Sequence, residues 1–212
     1  RLKLPPGVLD AYPIAHLQLG MFYHNELNPA SAMYHDVFSF RITSAFSEEK
    51  LRLAVHRLAS RHPALRTSFH LAGFSKPLQL VHETVDVPLT IEDVSQLSST
   101  EQEKAIITWI EDEKRRPFER SHAPLTRYHV QLQGEKRFQF FLSFHHSCLD
   151  GWSLAAVMTE IFQDYAALLE GRNETIESPR TTYRDFVSLE HQSTRDEQTR
   201  RFWEQVIADS EP

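Results

Sequence analysis

Apolar positions recur along this chain in two rhythms, one helical and one alternating. Within residues 12–27, Ile14, Leu17, Met21 and Phe22 follow helical spacing until Asn28-Pro29, which predicts a first helix. Residues 34–42 hold Val37-Phe38-Ser39-Phe40, aromatic and β-branched, and predict a strand. A second helix is predicted from Ser47. Lys50 rather than Glu stands at its third position, but Glu48 and Glu49 complement the helix dipole in the first turn. It presents Leu51, Val55 and Leu58 on one face and ends before Pro63, since a residue preceding proline avoids helical geometry.

Strands are predicted over 65–71, 77–83 and 89–94, and a helix over 98–116 with Ala105, Ile106, Trp109 and Ile110 on its apolar side. The clearest strands form a hairpin: 125–132 alternates, Gly134 marks the turn, and 137–144 places Phe138, Phe140, Leu142 and Phe144 on one face. A long helix over 152–169 ends at Gly171, suited to a left-handed C-cap. A polar linker, 172–180, leads to helices over 183–191 and 196–208 that add no strand. Without repeats or regular βαβ order, the pattern predicts an α+β fold: a mixed β-sheet covered by helices.

Composition supports one folded unit with a tail. The 212 residues are 41% hydrophobic and 25% charged, with 14 Phe. The net charge is −6 and no basic cluster is interleaved with aromatics, which argues against nucleic acid as a partner. No apolar run approaches the ~20 residues of a membrane span, and the start lacks a signal-peptide profile. The single Cys148 permits no internal disulfide and suits a reducing cytosol. Arg1 in place of an initiating Met points to a piece of something longer.

Candidate chemistry concentrates in His145-His146-Ser147-Cys148-Leu149-Asp150-Gly151, where a strand runs through a tight loop into a helix. Neighbours on a strand face opposite ways, so His145 and His146 do not share one site while the strand continues. His146 shares the parity of the Phe138–Phe144 row; a core histidine and a functional one both remain open. A neutral imidazole there could take a proton from an amine, and the positive end of the helix near Trp152 favours the neutral ring. Asp150 fits a structural role, pairing with arginine or bonding backbone N–H groups. Gly151 suits a positive φ or close approach of a ligand. A metal site built from His145, His146 and Asp150 is disfavoured because the two histidines diverge and no further ligand pair has recognisable spacing. Cys148, lacking an orienting third group, reads as space filling rather than as a nucleophile.

The stretch His145–Ser153 resembles the HHxxxDGWS motif of condensation domains in nonribosomal peptide synthetases. Three more segments match that family in order: Ala15-His16-Leu17-Gln18-Leu19-Gly20-Met21, Arg61-His62-Pro63-Ala64-Leu65-Arg66-Thr67-Ser68-Phe69, and Tyr183-Arg184-Asp185-Phe186. Members have two chloramphenicol acetyltransferase-like lobes with a tunnel between them. The resemblance implies that residues 1–171 form the N-terminal lobe and 172–212 lead toward an absent C-terminal lobe. It implies His146 as the catalytic residue, with His145, Asp150, Gly151 and Arg66 structural and Asp150 paired with Arg66. The partners implied are donor and acceptor peptidyl carrier proteins, whose phosphopantetheine arms hold the substrates. The domain itself binds no cofactor, ATP or metal.

Gln18-Leu19-Gly20-Met21 looks more like the QEGM form of domains taking a D-configured donor than the QxRLW form, although Leu19 replaces the usual acid. Gly151-Trp152-Ser153 argues against an epimerization domain, and the intact His145 argues against a heterocyclization domain. The alternatives are a non-catalytic docking or recruitment lobe and a CoA-dependent acyltransferase of the same superfamily. A cytoplasmic protein is expected, with a lobe inactive alone and prone to self-association through the face that meets its partner.

Overall fold

In the computed structural model, which describes residues 4–28, 32–173 and 176–208, the two rhythms resolve into two sheets. The larger comprises β2 (His35–Ile42), β5 (Leu89–Asp93), β6 (Thr126–Gly134) and β7 (Arg137–His145), in the order β2-β7-β6-β5. It is mixed: β5 runs parallel to β6, and the other pairs are antiparallel. The smaller sheet is antiparallel, with β1 (Val8–Pro13), β3 (Thr67–His70) and β4 (Leu78–His82) in the order β1-β4-β3. The expectation of an α+β fold with a mixed sheet under helices is met, and a second sheet accompanies it.

One face of the four-stranded sheet carries the Phe138, Phe140, Leu142 and Phe144 row. Helices α2 (Glu48–Arg61) and α4 (Gly151–Leu169) cover it, contributing Leu51, Val55, Leu58, Leu154, Val157, Ile161 and Tyr165 to one core. That burial removes apolar surface from water at roughly 25 cal/mol per Å² and is the main force fixing the strand register. Helix α3 (Ser99–Lys114) covers the opposite face. Its Trp109 stacks on His129 at 4.6 Å and lies 4.6 Å from the Phe141 ring. A capping box of Ser98 and Glu101 starts this helix.

Helix α1 (His16–Leu27) begins four residues later than the helical spacing predicts. Tyr12 and Pro13 are taken by β1, whose partner β4 lies far along the chain, and Gln18 then closes the first turn by accepting from Ala15 N–H at 3.1 Å. Asn28 is its C-cap; Pro29, like Arg1 and residues 174–175 of the linker, lies outside the described residues. The strand expected over 65–71 is shorter, because Pro63–Arg66 form a 3-10 turn. Helix α4 ends as a Schellman cap: Gly171 has φ 76°, Arg172 N–H bonds the Ala167 carbonyl at 2.9 Å, and Gly171 N–H bonds that of Leu168 at 3.1 Å.

Helix α5 (Tyr183–Ser193) docks on the smaller sheet. Val187 is buried with Tyr12, Ala15 and Val81, and Glu190 accepts from His16 N–H at 3.1 Å. Helix α6 (Glu197–Ala208) buries none of its side chains. Among the described residues no helix is long and apolar enough to cross a membrane.

Candidate active site

Strand β7 ends at His145, and the next three residues turn toward α4. The alternation still separates the two imidazoles. His145 is 6% exposed and stacks on Phe22 with ring centres 5.2 Å apart. Its Nδ1 accepts from Ser147 N–H at 3.1 Å, and its Nε2 lies 3.0 Å from Asn25 Nδ2. Burial, then the neighbouring His35 and His146, pushes its pKa down to about 4. It lines a cavity of about 690 Å³ together with Phe22, Tyr34 and Phe118.

His146 faces the other way. Its ring lies over Phe144 at 6.5 Å and 21°, extending the apolar row, and its side chain is 39% exposed. It borders a separate cavity of about 620 Å³ with Leu17, Met21, Leu65, Asp150 and Tyr183. Its backbone N–H donates to the Tyr34 carbonyl at 2.8 Å, and its Nδ1 is 2.8 Å from Asp36 Oδ2 on β2. The ring makes no other hydrogen bond among the described residues, which leaves Nε2 available for proton transfer.

Asp150 is the N-cap of α4. Its Oδ1 accepts from Ser153 N–H at 2.8 Å, and this bond holds its carboxyl below the ordinary range. The Asp150–Arg66 pair implied by the resemblance is not formed: the carboxylate is engaged at the helix terminus, while Arg66 sends Nη1 to the His82 carbonyl. Arg66 Nε is buried without a hydrogen-bond partner, and burial lowers this guanidinium's pKa. Gly151 is the first residue of α4 and has no positive φ, so a left-handed conformation is not its reason. A Cβ there would meet nothing within 4 Å. Burial raises the Cys148 thiol to about 12, and its Sγ lies 3.0 Å from the His145 carbonyl as core filling. Among the described residues no three His, Cys, Asp or Glu side chains converge as metal ligands.

Three polar residues at the site are not legible from the sequence pattern alone. Asp36 is one: it occupies a position in the apolar row Phe38, Phe40 and Ile42 of β2, next to the row that His146 extends, and that shared breach of pattern is the available signal. Gln18 is another, with Nε2 donating to the Ser147 carbonyl at 2.8 Å and Oε1 accepting from Gln79 Nε2 at 3.2 Å. Glu113 is the third, 2% exposed behind the histidine strand. It accepts from Arg127 Nε at 2.5 Å and from Ser143 Oγ at 2.7 Å, and Ser143 Oγ lies 2.7 Å from His35 Nε2.

A profile of the condensation domain family matches residues 8–212. The chain is 35% identical over 211 residues to the AMB antimetabolite synthetase AmbE of Pseudomonas aeruginosa, covering 98% of this chain and 10% of that protein. It is 34% identical over 195 residues to a linear gramicidin synthase of Brevibacillus parabrevis, covering 92% of this chain and 4% of that protein. It therefore spans a tenth or less of these curated relatives. The solved starter condensation domain of rhizomide synthetase RzmA shares the fold, with a TM-score of 0.82 at 16% identity over 96% of this chain and 51% of that one. With the match running from Val8 to the last residue, the chain belongs to the condensation domain family of nonribosomal peptide synthetases.

Proposed function

We propose that this chain supplies the histidine-bearing half of an amide-bond-forming site. The amine of an acceptor attacks the carbonyl of a donor acyl thioester, each held on the phosphopantetheine arm of a peptidyl carrier protein. The C–N bond forms, the C–S bond breaks, and the phosphopantetheine thiol leaves. His146 takes the proton the amine loses and returns it to the departing sulfur. A thioester is already activated, so positioning two arms and guiding that proton are the main tasks, and the domain needs no cofactor of its own. The observation that carries this reading is the His146 ring at the mouth of a 620 Å³ cavity with one nitrogen engaged and the other unpartnered.

His145, Asp150, Gly151 and Arg66 shape the loop and its supports rather than react. Residues 1–171 form the N-terminal lobe and 172–212 lead toward a second lobe that completes the tunnel, so this lobe is inactive alone. Gln18-Leu19-Gly20-Met21 supports a D-configured donor, and the protein works in the cytoplasm. The complete two-lobed domain carrying His146→Ala, mixed with both loaded carriers and followed by mass spectrometry, is expected to lose at least about 10²-fold in peptide formation. Unchanged turnover overturns the role of His146, and equal turnover with acyl-CoA in place of the carrier-bound donor favours an ordinary acyltransferase.

A further inference from the structure

Asp36 is a carboxylate where the β2 alternation calls for an apolar side chain. Its row-mates Phe40 and Ile42 pack into the main core, and Phe38 stacks on Phe144 at 5.9 Å and 7°. A charge in such a row is unfavourable unless it is bonded, and this one is bonded to His146, Oδ2 to Nδ1, at 2.8 Å. The register explains the meeting. Asp36 pairs with Phe144, so His146, two residues further along, is its diagonal neighbour on the same face. Tyr34, two residues before Asp36, holds the His146 backbone N–H at 2.8 Å, so this one segment fixes both main chain and ring.

Resting on the reading of His146 as the proton acceptor, we propose that Asp36 is the positioning residue of this site: it holds His146 as the Nδ1–H tautomer with Nε2 free for the acceptor amine. An ionised carboxylate only accepts hydrogen bonds, so the proton of a neutral His146 must sit on Nδ1 for the 2.8 Å contact to be favourable. The lone pair is then on Nε2. The other nearby carboxylate, Asp150, makes no hydrogen bond to His146 among the described residues; its Oδ1 accepts from Ser153 N–H at the start of α4. His145 cannot substitute either, being turned to the opposite face with its own Nδ1 occupied by Ser147 N–H. The same carboxylate stabilises the imidazolium formed once the amine proton has moved.

The test separates tautomer from turnover. In the complete two-lobed domain, labelled with 15N-histidine, long-range 1H–15N correlation reads which nitrogen of His146 carries the proton, with His146→Ala assigning the signal. Wild type is expected to show Nδ1–H. Asp36→Asn keeps the shape but replaces a group that only accepts with an amide that donates to Nδ1 as readily as it accepts from it, so the Nε2–H tautomer, which has no lone pair on Nε2 for the amine proton, is expected to gain population. Its kcat is expected to fall about 10–100-fold with KM nearly unchanged; the loss is less than the ~10⁴ of a fully buried triad aspartate because Asp36 is 35% exposed. Asp36→Glu, which retains the carboxylate, is expected to restore the Nδ1–H form and most of kcat.

A wild-type Nε2–H tautomer, or an Asp36→Asn domain with both tautomer and kcat unchanged, overturns the proposal. If Asp36→Asn moves the tautomer while His146→Ala leaves turnover intact, the base reading of His146 fails and the positioning contact survives. A misfolded Asp36→Asn is recognised by circular dichroism, and the wild-type tautomer together with Asp36→Glu then decides.

Discussion

His145 and His146 are covalent neighbours with opposite circumstances. One is sealed between Phe22, Asn25 and Ser147, with both ring nitrogens facing partners and its basicity suppressed to about 4. The other sits at a cavity mouth with one nitrogen engaged. A single step of strand alternation separates a sealed ring from one with an unengaged nitrogen facing a cavity. The two rings of this double histidine line different cavities.

The sharpest way to break the contrast is His146→Ala, whose expected loss of turnover leaves the fold intact; Asp36→Asn follows with its smaller loss. His145 should respond in stability. The pKa of its folded-state ring lies near 4 against an ordinary 6.5, so the unfolded chain binds more protons between those values and stability falls as pH drops from about 6.5 toward 4. His145→Phe is expected to remove a share of that acid-side loss on the order of 3 kcal/mol. Denaturant melts across this range check it, and an unaltered slope would show that His145 is not the buried neutral group.

Asp150→Ala should cost about 1 kcal/mol through the lost cap. Because hydrogen bonding depresses the carboxyl, the difference from wild type is present at neutral pH and vanishes as pH falls through the lowered folded-state value. Melts of both proteins from pH 7 down through the acid range follow the loss of that difference. Gly151→Ala is the mildest. Its φ is not left-handed and its surroundings are open, so stability should stay within about 0.5 kcal/mol while turnover drops several-fold if a substrate arm passes against the backbone. Intact turnover would make Gly151 an ordinary first residue of a helix.

Much of this is legible along the chain. The buried face of α2, the β6–β7 hairpin and the Gly171 stop follow from local signals, which report which side of an element meets the core and where it ends. The first strand is not legible, because Val8–Pro13 gains its hydrogen bonds from β4, some seventy residues away, and its own burial is mostly partial. Glu113 reads as one more charge in the Glu111–Arg116 run, and only the meeting with Arg127 and Ser143 across the sheet makes it interior. Arg66 and Asp150 are a pair only by the family resemblance, and here a main-chain carbonyl and a helix terminus claim them instead.

Gln18 bridges parts of the molecule that share no strand pairing: helix α1, strand β4 through Gln79, and the histidine loop through the Ser147 carbonyl. Every group in that bridge is an amide or a carbonyl, so nothing in it titrates and salt has no charge to screen. The smaller sheet and the His146 loop are thus joined by a mechanical link indifferent to ionic strength and acidity, and a substitution at Gln79 would reach that loop without touching it.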